Sequence, residues 1–379
     1  MNYTLSEDGT VVSIEDGCKK ILARAFYNNM NIQKVIIPKS VLKIGKNAFD
    51  LCINLTEVLI PRHGLRIIKK NAFGCCLKLE KFNIPKTVVS IEKCAFNACY
   101  SIKDIVIPHG ITVLESQTFM NCILLKRIQL PPTLKVIGNQ CFFGCLVLEY
   151  IRIPNSVYII EDSVFSCCFM LKNINLSNNI KKLGSGIFTE CKKLSSIKIP
   201  KKIKMIPDDF CRCCIAMEKI YIPDTIEIIG KLAFFRCDNL RNVRLSNRLS
   251  VISKNAFSYN YSLESITIPK SVIGIEERAF CNCRKLRKVI FKNKNTLYDV
   301  SAFTDCPSLS LNKRYKDGTY RKLKKQTDFE VEKCSITCEQ FTNKSRVILL
   351  ECGHIFMEFA FREWEKMSNF CPYCRANFL

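Results

Sequence analysis

The residues best equipped for chemistry lie at the end of the 379-residue chain, in Cys334-Ser-Ile-Thr-Cys338, Cys352-Gly-His354 and Cys371-Pro-Tyr-Cys374. Thiolate and imidazole in Cys-x-His and Cys-x-x-Cys pairs are the donors that tetrahedral zinc favours. A segment of about fifty residues with few apolar side chains needs such a staple, and structural zinc contributes on the order of 10 kcal/mol or more to folding. No catalytic constellation is legible further upstream. His63 and His109 follow prolines closely and read as surface turn residues. The adjacent pairs Cys75-Cys76, Cys167-Cys168 and Cys213-Cys214 share the phase of a repeat and read as packing rather than metal or redox chemistry.

That repeat must provide the scaffold, because self-similarity at a fixed period sets an architecture. A Phe returns at 26, 49, 73, 96, 119, 142, 165, 188, 210, 234, 257, 280 and 303, almost always 23 residues apart. The exceptions read as one residue inserted before Phe73 and one deleted before Phe210, made good by Phe234. Three residues after most of them comes a cysteine: Cys52, Cys76, Cys99, Cys122, Cys145, Cys168, Cys191, Cys237, Cys283 and Cys306. A Leu or near equivalent follows, and then an apolar-Pro pair. In Leu55-Thr-Glu-Val58-Leu-Ile60-Pro61 the alternation predicts a short strand, inward at 58 and 60 and outward at 59. Pro suits the strand's end, where a missing amide hydrogen does least harm. The Asn-Ala-Phe stretch is expected to turn as a short helix or 3₁₀ segment. No coil can bury its own apolar face, so stability must come from coil packed on coil.

At these residues, over about 3–310, the chain resembles the BspA-like leucine-rich repeat family. The resemblance implies a solenoid of about twelve coils, built of short strands plus turns or short helices, for residues 1–310. The chain departs from commoner leucine-rich repeats in lacking an Asn ladder, a place that the Pro turn is expected to take. Family members are often microbial surface adhesins. The opening Met1-Asn-Tyr-Thr-Leu-Ser-Glu-Asp lacks the basic start and apolar stretch of a signal peptide, which argues against that role.

Composition narrows the rest. Lys, Arg, Asp or Glu interrupts every apolar stretch well short of the ~18 residues that a membrane span needs. The 24 cysteines, in a long chain with ample core, read as free thiols in a reducing compartment, which places the protein in the cytoplasm or nucleus. The net charge of +24 comes from basic residues scattered through the repeats, so a solvated lysine coat is expected rather than a nucleic-acid site. The one dense stretch, residues 313–325, lies in an expected basic linker at 311–328. Along the outward strand row, Arg152, Lys198, Tyr221 and Arg244 make the middle cationic and aromatic, which would suit an acidic protein surface.

The final segment, 329–379, resembles a RING finger over about 334–375, through Cys-Gly-His-x-Phe and Cys-Pro-x-Cys-Arg. That resemblance implies a small α+β module with two cross-braced zinc sites. The second site maps onto Cys352, His354, Cys371 and Cys374. The first maps onto Cys334 and Cys338 with positions 357 and 360, where this chain carries Met357 and Ala360. A single zinc is therefore expected, with Met357, Ala360 and Phe361 packed where the other metal would sit. A carboxylate from Glu339 or Glu358 is the alternative that would complete the first site. The resemblance further implies that Ile336, Trp364 and Pro372 contact a ubiquitin-conjugating enzyme, and that Arg375 pins ubiquitin. The reading is a RING-type E3 ubiquitin ligase that selects a partner through its repeats. The rival is a non-catalytic interaction or scaffold protein whose altered RING serves docking or dimerisation. A third reading, polyanion binding through the basic linker, ranks below both.

Overall fold

The computed structural model describes residues 1–293, 296–299, 301–309, 318–319, 334, 336, 339–340, 342, 346–349, 354–365 and 367. From the first residues to 309 it is a solenoid whose two walls are parallel ladders. On one wall Lys34–Ile36 pairs with Glu57–Leu59, which pairs in turn with Lys81–Phe82. On the other, Lys43–Ile44, Ile67–Ile68 and Ser90–Ile91 follow one another. The pleat sorts the side chains as the alternation requires, with Val58 buried and Leu59 42% exposed. Partners sit 23 residues apart except where Lys43 faces Ile67 and Glu57 faces Lys81, so the inserted residue lies in the turn between these strands. Gly64 is in that turn at φ +118°, and a Cβ there would lie 2.3 Å from the Lys39 carbonyl oxygen. Only glycine fits.

The segment around each Phe is neither helix nor 3₁₀, contrary to the sequence expectation. It is a ribbon of turns in which residues two before and two after the Phe position take φ near +55° to +65°, as at Asn47 and Leu51 or Asn255 and Tyr259. These left-handed residues flip successive peptides. Amides then alternate between two acceptors: Ala48 and Asp50 donate within their own coil, while Asn47, Phe49 and Leu51 donate to Lys70, Ala72 and Gly74 of the next. Every amide in this stretch finds a carbonyl without a helix.

The Phe rings stack along the axis, from Phe26 on Phe49 (5.2 Å between centroids, 8° between planes) to Phe280 on Phe303 (5.2 Å, 3°). Tyr3, from an antiparallel hairpin of Tyr3–Leu5 with Val11–Ile14, closes one end edge-on to Phe26 at 5.0 Å. Phe291 and Tyr298 stand edge-on to Phe303 at the other. The apparent deletion before Phe210 is a transposition. The left-handed residues of that coil are Asp209 and Cys213, which centres it on position 211 and keeps the backbone period at 23. Phe188 donates to the Phe210 carbonyl and Cys211 to that of Ala233, so Phe210 holds the small-residue position and Cys211 the Phe position. The Phe210 ring accordingly turns, lying 84° to Phe188 and 80° to Phe234.

The cysteine column does more than fill space. Each thiol donates to the carbonyl at the Phe position of the preceding coil: Cys99 to Phe73 at 3.1 Å, Cys168 to Phe142 at 3.2 Å, Cys237 to Cys211 at 3.2 Å. Cys214, rather than Cys213, is the column member of its coil, bonding Phe188 at 3.1 Å. In one coil an amide substitutes, with Asn260 donating to the Phe234 and Phe257 carbonyls. This column, and not the Pro turn, therefore fills the place of the missing Asn ladder. Cys75, Cys167 and Cys213, the other members of the adjacent pairs, sit half-buried at left-handed turn positions.

Near the C-terminus, Arg346–Leu349 and Ile355–Met357 form an antiparallel pair, followed by a helix at Glu358–Glu365. Gly318–Thr319, from the segment read as a basic linker, adds a further antiparallel strand beside Arg346 and Val347.

Candidate functional site

Two places hold the residues singled out from sequence. In the C-terminal module, the helix Glu358–Glu365 buries Ala360 and Phe361 and leans Trp364 on the core, a spacing of three and four that marks one face. Glu358 and Arg362, one turn apart, approach to 3.8 Å on its exposed side. The buried cluster comprises Cys334, Val347, Ile348, Ile355, Phe356, Met357, Ala360 and Phe361, with Ile336 and Trp364 packed against it. The two hydrophobic contact positions thus border one core. Cys334 is fully buried, and its sulfur accepts the Met357 amide at 3.3 Å. That places Cys334 among apolar groups, with the thioether and methyl of Met357 and Ala360 in its own cluster.

His354 immediately precedes the strand Ile355–Met357 and is half-buried, which holds its imidazole below the ordinary histidine range. Cys338, Cys352, Cys371, Cys374, Pro372 and Arg375 lie outside the described residues. Among the described residues no group of three or more His, Cys, Asp or Glu side chains is gathered as a metal site. The donor chemistry still separates the two sites. By residue type Cys352, His354, Cys371 and Cys374 would supply a complete Cys₃His set, whereas Met357 and Ala360 offer a first site no hard or thiolate donor. Glu339 is exposed and Glu358 is turned to Arg362.

The second place is the solenoid's strand face. Arg152, Lys198, Tyr221 and Arg244 are all exposed there, Tyr221 by 63%. Lys198, Tyr221 and Arg244 occupy three successive coils, with Tyr221 directly opposite Arg244 in register. They line a pocket of about 560 Å³ together with Lys201, Lys219 and Asp224. Arg152 does not join them; Asn175 faces it from the next coil. The pocket coincides with a break in both walls. No strand forms at 195–200, the ladder of Asn173–Asn175 stops there, and the opposite wall breaks between Lys182–Leu183 and Met205–Ile206. Sequence reading by outward row alone missed Lys201 and Lys219, which flank the row. Lys219 was findable from the column one residue pair away.

Known proteins resemble both parts. The family model for BspA-type leucine-rich repeat regions matches six copies, over residues 19–145, 89–216 and 204–319, and the RING finger domain model matches residues 332–375. A leucine-rich cell surface protein of Faecalibacterium prausnitzii is 25% identical, with TM-score 0.55, over 81% of this chain and 91% of its own. A leucine-rich repeat protein of Bacteroides ovatus superposes with TM-score 0.62 at 24% identity, over 81% of this chain and 91% of its own. A probable E3 ubiquitin-protein ligase of Arabidopsis thaliana, RHG1A, is 31% identical over 67 residues, which is 18% of this chain. The chain spans about 10% of that relative's length. No helix among the described residues is long and apolar enough to cross a membrane.

Proposed function

Because the chain belongs to the BspA-type leucine-rich repeat family and ends in a RING finger, we propose that it is an E3 ubiquitin ligase whose solenoid selects a protein partner. The observation that carries this reading is the joining of a RING finger at 332–375 to a repeat array on one chain. The partial likeness to a probable E3 ligase supports it.

Such a module needs no nucleophile of its own. It holds a ubiquitin-charged conjugating enzyme so that a substrate lysine amine attacks the thioester carbonyl, the enzyme's thiolate leaves, and an isopeptide bond forms. Catalysis is by positioning. Ile336, Trp364 and Pro372 are assigned to the conjugating enzyme and Arg375 to ubiquitin. Cys352, His354, Cys371 and Cys374 would hold one zinc, whose contribution would be structural: it would fix the one stretch, 371–375, that carries Pro372 and Arg375. The first site, with Cys334 in an apolar cluster beside Met357 and Ala360, is read as metal-free. We place the protein in the cytoplasm or nucleus, where thiols remain reduced.

Autoubiquitination with a panel of conjugating enzymes is the test. Activity should be present and should fall in Ile336→Ala and Arg375→Ala; no activity, or activity indifferent to both, would sink the ligase. Metal analysis should return about one zinc per chain, lost in Cys371→Ser. Two zincs would overturn the metal-free reading of the first site. The same replaced ligands favour a second reading, in which the module only docks or dimerises and the chain is a scaffold. An inactive protein that still binds one zinc would establish it.

A further inference from the structure

The strand face is electrically divided. Toward the N-terminus its cations are matched across coils: Lys34 and Lys81 to Glu57, Lys103 to Glu80, Arg127 to Asp104. In the column that runs through 34, 57, 81, 104 and 127, no carboxylate follows Asp104; Tyr150, Asn173, Ser196, Lys219, Asn242, Ser265 and Lys288 come next. The neighbouring column through Lys198, Tyr221 and Arg244 holds no carboxylate from Ile36 to Ile290. Around the pocket, Lys198, Lys201, Lys219 and Arg244 make no ion pair among the described residues. Its one acid, Asp224, accepts from the Asn247 backbone and side-chain amides at 2.8 and 3.3 Å and offsets part of the Arg244 charge, which leaves the four cations in excess. The missing strand at 195–200 opens the surface at the same point.

We propose that this pocket seats an acidic, unmodified protein segment lying across the coils, with Asp or Glu carboxylates over the four cations and an apolar group against Tyr221. The inference rests on reading the repeats as the partner-selecting half of the chain. Charge complementarity identifies the occupant, and its geometry narrows it further. Successive coils are about 4.8 Å apart, so the row from 198 to 244 spreads its charges over about 10 Å. Spaced point charges match several carboxylates along a segment. A phosphate would call instead for convergent forked donors, and only Arg244 is of that kind.

The test is fluorescence anisotropy of the full-length chain with three probes: an alternating Glu/Ser peptide long enough to cross three coils, the same peptide carrying one phosphoserine among neutral residues, and a single-stranded oligonucleotide. The Glu/Ser peptide should bind best, and Lys198→Ser with Lys219→Ser should weaken it about tenfold, two exposed pairs' worth. Tyr221→Ala should weaken it as well. Arg127→Ser, in the matched half, should leave it unchanged. Tighter binding of the phosphopeptide or the oligonucleotide, equal loss in Arg127→Ser, or no peptide binding would each overturn the proposal. Autoubiquitination is read separately on the same preparations, so loss of peptide binding with ligase activity intact would fault this pocket and leave the ligase standing.

Discussion

The carbonyls at the Phe position could not be left to chance inside a dry core, and from Phe26 to Phe280 a column of thiols, with Asn260 in one coil, answers them coil by coil. Burial pushes the Cys52 and Cys122 thiols up to about 12, from an ordinary value of 9.0. The folded chain therefore holds these protons more tightly than the unfolded chain does. Their stabilisation is complete below pH 9.0 and is lost as pH climbs toward 12. Urea midpoints should be level from pH 7 to about 8.5 and then fall; a flat profile to pH 10.5 would contradict the buried ladder. The same column should resist alkylation at pH 8 until the chain is unfolded, because only thiolate reacts. Cys168→Ala should cost about 1–2 kcal/mol, combining a small cavity with a lost donor to Phe142. The spacing of these cysteines was plain in the sequence. Their role was not, because a column of Cys is equally a column of small hydrophobes until the carbonyl 26 residues back is seen to face it.

At the scale of the coil, backbone and side chain can be told apart. The ribbon of alternating left-handed residues fixes where each coil is centred, and at 209–213 it is centred on Cys211 although the ring comes from Phe210. Phe210→Ala alone should cost about 3–5 kcal/mol, and Cys211→Phe alone about 1–3 kcal/mol by overpacking. The double variant restores the usual order, small residue then Phe, and should recover most of both losses. Strict additivity in a denaturation cycle would mean that the two positions do not exchange roles. Strand positions were legible because apolar alternation has a physical period. The turn ribbon was not, since Asn-Ala-Phe, Cys-Ala-Phe and Leu-Ala-Phe carry no common propensity that announces φ near +55°. In the C-terminal module the packing of Met357, Ala360 and Phe361 was expected, but the helix that puts Ala360, Phe361 and Trp364 on one face was not read from the sequence. The apolar setting of Cys334 emerged only from the cluster around it.

For the molecule as a whole, stability is a sum over neighbouring coils, so the weakest junction governs where the array opens. Both walls break twice together, between residues 82 and 113 and between residues 175 and 206, and only the second break also lacks a strand, at 195–200. Amide exchange should therefore be fastest within the solenoid at residues 195–200 and slow in coils on either side; uniform protection along the repeats would refute this. The charge division of the strand face changes character in the same region, from a matched half to an unmatched one.

The turn ribbon also gives the array a sense. Its inter-coil amides all donate toward the C-terminus, as from Phe26 to Ala48 and from Phe280 to Ala302. By that register the first coil turns the carbonyls of Ala25 and Tyr27 outward along the axis, and the last turns out the amides of Phe303 and Asp305. Along the ribbon, then, the first coil ends in acceptors and the last in donors, whereas amides beside the strands point the other way, as from Thr56 to Gln33 and from Arg66 to Leu42. Each coil is thus held to the next by two sets of amides of opposed direction, so sliding one coil against its neighbour would break both sets at once.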